Sequence, residues 1–240
     1  MLDDMGVLRD AVAAYRAAAT AAGIAWPDHA GPDGGPAPDL VRRLFDVDHI
    51  AEQLNWLESR GWESQRFFPN GGFLLPWPTD AGGSLDDLSF SIGTPFPWRH
   101  QMPLFFFDGI MYMFVLAGEH EGEIWRYEFD PDTWGSVRAA TSLAALFTEW
   151  ARGIAAGVVF YTDRDKWLHV GDDVHDPFDV LQQRAADLDP FAFPVSISSV
   201  PLLRTRQREC GVDMDCIDRG PDCHEELLDA IAATQASLRT

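Results

Sequence analysis

The sequence predicts an α+β fold, with helices packed on one face of a mainly antiparallel sheet of about five or six strands. Three observations carry that expectation. Apolar residues recur at helical spacing near the start of the chain and again over 141–156. Short apolar segments separated by turn residues fill 104–129, the pattern of consecutive antiparallel strands. Residues 67–98 are rich in Gly, Pro and aromatics, which suits short strands joined by turns.

Taken in order, residues 3–22 read as a helix, with Met5, Leu8, Val12 and Tyr15 on one stripe and Gly23 as its stop. PDHAGPDGGPAP, residues 27–38, is a loop or linker. Asp39 is a candidate cap for a short helix carrying Leu40, Leu44 and Phe45. A further helix over 47–60 has Asp48 as cap, Ile50, Leu54 and Leu57 as stripe, and Gly61 as stop. Asn70-Gly71 is a tight-turn pair. Leu104–Phe107, Met111–Ala117 and Glu123–Phe129 follow as strands, with Asp108-Gly109 turning the first into the second and GEHEG, 118–122, joining the second to the third.

In the third strand Trp125, Tyr127 and Phe129 form one face and Ile124, Arg126 and Glu128 the other. The aromatic face is expected to be covered by the helix at 141–156, capped by Thr141 or Ser142 and striped by Leu143, Leu146, Phe147 and Trp150. The Arg126 and Glu128 face is expected to stay open. Residues 158–162 suit another strand, 177–187 a helix, 191–203 a β-leaning stretch and 224–238 a terminal amphipathic helix. The chain thus divides into an N-terminal helix and linker (1–38), an α+β core (39–170), and a C-terminal extension (171–240) with a Cys-containing loop and the terminal helix.

Composition narrows the function. Asp and Glu number 38 against 18 Lys and Arg, a formal net charge of −20. Such a polyanion has no electrostatic reason to approach phosphate, so nucleic acid and anionic membrane are poor partners, whereas a basic protein is drawn in. The first residues carry Asp3 and Asp4 where a signal peptide needs cations. No apolar run approaches the ~20 residues of a membrane helix. Three cysteines form no disulfide framework. The expected location is the cytoplasm.

Three polar clusters are candidates for chemistry. Glu119, His120, Glu121 and Glu123 suit metal binding or acid–base work, but neighbouring residues point to opposite sides and read as a solvated turn. Asp163, Asp165, His169, Asp172, Asp173, His175 and Asp176 lack the glycine and terminal Glu of a calcium loop and read as a solvated loop. Cys210, Cys216, Cys223 and His224 supply three thiolates and an imidazole, a donor set that satisfies tetrahedral zinc, yet there is no C-x-x-C pair. Nucleotide-binding glycine loops, nucleophile elbows and H-E-x-x-H helices are missing.

The segment 98–150, with MPLFFFDGIMYMFVL, GEIWRYEFD and TSLAALFTEW, resembles the SUKH superfamily. The matching positions are Asp108, Gly109, Gly122, Ile124, Trp125, Tyr127, Ser142, Leu143, Phe147 and Trp150. The resemblance implies a SUKH-like core in 39–170 and a bacterial immunity protein that neutralises a toxin by binding it, without chemistry of its own or a cofactor. The expected partner is a protein, such as a basic toxin domain, meeting the open face at Arg126 and Glu128 and the nearby Trp98. Two alternatives stand: an enzyme with a site near Asp108, Glu119 and His120, or a scaffold stabilised by zinc at the C-terminal cysteines.

Overall fold

The computed structural model of the chain describes residues 5–23, 48–58, 101–107, 110–115, 118–128, 137–162, 167–171, 174–212 and 214. The expected helix at 39–45, the strands and Asn70-Gly71 turn within 67–98, the Asp108-Gly109 turn and the helix at 224–238 lie outside them.

Helix α1 (Met5–Ala21) buries Leu8, Ala11, Val12, Tyr15 and Ala19, spacings of three and four that make one stripe. Gly23 follows at φ +79°, a left-handed conformation that glycine adopts without strain, and stops the helix where the sequence places the stop. Helix α2 (Asp48–Glu58) buries Ile50, Ala51, Leu54 and Leu57.

Four strands then form an antiparallel sheet in the order β1-β2-β3-β4: β1 (Gln101–Phe107), β2 (Ile110–Val115), β3 (Ile124–Glu128) and β4 (Val137–Ala140). Tyr112 stands opposite Arg126 and Met113 opposite Trp125, so Tyr112 and Arg126 share one face of the sheet and Met113 and Trp125 the other. Between β3 and β4 the register jumps from Ile124↔Ala140 to Trp125↔Arg138, leaving Ala139 as an extra residue that bulges the strand.

Helix α3 (Leu143–Ala155) begins at Ser142, whose Oγ accepts a hydrogen bond from the Ala145 amide at 3.1 Å. Its stripe of Leu143, Leu146, Phe147, Trp150 and Ile154 is buried. Packing against α1 puts the Tyr15 ring edge-on to Phe147 at 5.7 Å. Packing against the sheet sets Trp150 perpendicular to Tyr112 at 5.9 Å.

Strands β5 (Val159–Thr162) and β6 (Trp167–Val170) pair with each other as a second, two-stranded sheet. The fold is therefore α+β with antiparallel strands, but the six described strands divide between two sheets instead of joining one. Helix α4 (Pro177–Arg184) is capped by Asp176, whose Oδ1 accepts from the Phe178 amide at 2.8 Å.

The stretch 191–203, expected to lean to β structure, does not form a strand. Pro190 to Ala192 make one 3₁₀ turn, 193–199 run irregularly, and helix α5 (Val200–Glu209) starts with a proline in its first turn. Pro190, Pro194 and Pro201 are spaced too closely for a ladder that needs every amide. Residues 189–199 instead lie as a strap over the sheet, and Phe178, Leu181, Phe191, Phe193, Ile197 and Leu203 join one core with α1, α2, α3 and the strands. Burial of each such side chain contributes roughly 1.5–3 kcal/mol.

The expected open face is not open. Tyr112 and Arg126 lie on the face that α3 and the strap cover, and Arg126 is 1 % exposed. Trp125, on the opposite face, is fully buried as well. The expectation that the helix at 141–156 covers the Trp125 face is corrected: Trp150 of α3 packs on Tyr112, on the Arg126 face, and the strap joins it there through residues 67 and 69 positions beyond Arg126.

Candidate functional site

Two clusters of polar side chains are built into the sheet, one at the turn before β3 and one beneath the strap. The turn is shaped by Gly118 and Gly122, at φ +93° and +86°. It closes through the Gly122 amide donating to the Val115 carbonyl at 2.9 Å. The residues of the GEHEGE run diverge as they leave it. Glu119 faces solvent. Glu121 Oε1 lies 3.2 Å from His49 Nε2 at the start of α2. His120 folds back so that its Nδ1 lies 2.9 Å from Glu123 Oε2, and its ring stands edge-on to Trp125 at 5.4 Å.

Glu123 is the centre of this cluster. Oε2 also accepts the indole N–H of Trp125 at 2.8 Å, and Oε1 accepts from Arg138 Nη1 at 2.8 Å. Burial works against the charge of the Arg138 guanidinium, but the hydrogen bond and charge of Glu123 outweigh it and hold its pKa above the usual arginine range. One carboxylate thus fastens the turn, β3 and β4 together. Its two oxygens are occupied by donors of the fold, an arrangement suited to holding structure.

The second cluster centres on Arg126. Nη1 donates to the Phe193 carbonyl at 2.8 Å and Nη2 to the Val195 carbonyl at 2.7 Å, with Glu128 Oε2 at 3.4 Å. Beside it, Tyr112 Oη–H and Trp150 Nε1–H both donate to the Ala192 carbonyl, at 3.0 and 2.7 Å. Burial pushes the Tyr112 hydroxyl well above the usual phenol range. Three side chains from β2, β3 and α3 therefore satisfy the carbonyls of a strap that has no ladder of its own. Arg126 and Glu128, expected at a partner surface, sit inside the molecule; the side chain of Glu128 is 8 % exposed.

Further arginines are engaged in the same way. Arg206 of α5 grips both oxygens of Asp189 at 2.9 and 2.8 Å and lies over the Phe191 ring at 4.5 Å. Arg152 pairs with Glu149 on its own helix and with Asp187, Nη2 to Oδ2 at 2.6 Å. Between β4, the start of α3 and α5 lies a groove of about 560 Å³, lined by Arg138, Ser142, Thr148, Glu149, Asp189 and Arg206 and floored by alanines.

Among the described residues, no group of three or more His, Cys, Asp or Glu is placed to hold a metal ion. Of the proposed zinc set only Cys210 is described; Cys216, Cys223 and His224 lie outside. Cys210 caps α5 and is buried, which pushes its thiol up against the opposing influence of the Arg138 backbone and of the Arg138 and Arg206 charges. Trp98 and Asp108 also lie outside the described residues. Of the acidic stretch 163–176, His169 stacks on Phe160 at 5.7 Å as part of the second sheet, and Asp176 is the cap of α4.

The roles of Arg138, Arg206 and Asp189 had no signal in the sequence, since their partners are remote in the chain. Glu123 had one: it stands two residues before Trp125, the spacing that puts neighbours on one face of an extended segment. No family model, no curated protein and no solved structure matches this chain. Among the described residues, no helix is long and apolar enough to cross a membrane.

Proposed function

We propose that this chain is a protein-binding module, a SUKH-like immunity protein that neutralises a toxin by binding it, and that its partner is a basic protein domain. One observation carries the reading: acids are in excess, and four of the described arginines are held by groups of the fold. Arg126, Arg138, Arg152 and Arg206 are all engaged with carbonyls or carboxylates of the fold. With 38 acidic residues against 18 Lys and Arg, what is left to face a partner is strongly negative. Unpaired carboxylates are costly to bury, so the surplus belongs at the surface. A field of that sign raises the encounter rate with a basic domain and disfavours acidic competitors. Trp98 remains the aromatic contact proposed for the partner.

The test is co-expression with the C-terminal domain of a large secreted protein encoded beside this chain. Rescue of growth together with a stable complex supports the proposal. A neighbourhood of metabolic genes only, or a toxic neighbour that forms no complex, overturns it.

A further inference from the structure

We draw no further inference here: the strongest candidate, the groove between β4, the start of α3 and α5, carries two arginines, Arg138 and Arg206, already paired with Glu123 and Asp189, and nothing in the structure shows what covers it.

Discussion

The guanidinium of Arg126 lies 2.7 Å from the carbonyl oxygen of Val195, a residue 69 positions further along the chain. With the Phe193 carbonyl on the other nitrogen, it forms a fork that a planar five-donor group fills and an ammonium does not. Arg126→Ala leaves two buried carbonyls and the Glu128 carboxylate without their donor. The expected loss of stability is about 3–5 kcal/mol. Arg126→Lys keeps the charge but reaches one carbonyl at a time, and is expected to lose roughly 1–3 kcal/mol. Urea unfolding followed by tryptophan fluorescence measures both. An Arg126→Lys variant as stable as the parent would show that the fork geometry is irrelevant.

Glycine 153 marks where the strap meets α3. A Cβ at this position would stand 2.5 Å from Phe193 Cε1 and 2.9 Å from Val159 Cγ2. Alanine favours a helix interior over glycine by about 1 kcal/mol, but overpacking a filled core costs roughly 1–3 kcal/mol. Gly153→Ala is therefore expected to destabilise, and Phe193→Leu in the same chain to recover part of the loss. A double-mutant cycle should return a coupling of about 0.5–3 kcal/mol. A stabilised single variant would mean that the Phe193 ring yields freely.

Glu123 and Glu119 share a turn and differ in consequence. Glu123→Ala removes the acceptor of Trp125 Nε1, of Arg138 and of His120, one of them in a fully buried ring, and should cost about 2–3 kcal/mol. Glu119→Ala, at an exposed position, should stay within about 0.5 kcal/mol. His120→Ala falls between, because its ring packs on Trp125. Thermal melts of the three variants should keep this order; a Glu119→Ala variant as unstable as Glu123→Ala would contradict it.

Helices α1 to α4 and the pairing of the central strands were legible in the sequence because their signals are local, whereas α5 was not. The stripe Leu8, Val12, Tyr15 and the cap Ser142 lie within one element, and each is where expected. The strand Val137–Ala140 was not legible: four residues, one of them bulged, are too short for alternation to show. Nor was the burial of Arg126. Alternation in β3 separates two faces but cannot say which is covered, and the covering element arrives from a proline-rich stretch that looks like β structure by composition alone. An arginine facing a sheet reads as solvated unless the carbonyls awaiting it are known.

Alkaline pH should weaken the fold in a defined order. Burial raises the Cys210 thiol and, further up, the Tyr112 and Tyr15 hydroxyls. In each case the neutral form is favoured in the folded chain, while the unfolded chain ionises at ordinary values, about 8.5 for a thiol and about 10 for a phenol. The cysteine's contribution is fully present below about pH 8.5 and is lost as pH rises through its raised folded pKa. In a background where Cys216 and Cys223 are serine, urea midpoints should begin to fall above that pH, and Cys210→Ala should remove this first limb while leaving the tyrosine limb in place. Parallel curves for both proteins would assign the loss to other groups.

Partner binding should depend steeply on salt, because the proposed attraction comes from a field and not from one contact. The formal charge of −20 acts over distances that salt shortens: the Debye length is about 10 Å at 0.1 M and about 3 Å at 1 M. Encounter is steered while the partner is still tens of ångströms away, so the association rate should fall steeply as salt rises past about 0.1 M. Dissociation, governed by short-range contacts, should change much less. Stopped-flow mixing of the chain with its purified partner at several salt concentrations separates the two rates. Trp98→Ala provides the complementary arm: loss of a buried aromatic contact should speed dissociation and leave association nearly intact. An association rate indifferent to salt would remove the electrostatic basis of the proposal, and a Trp98→Ala variant with unchanged dissociation would move the contact surface elsewhere.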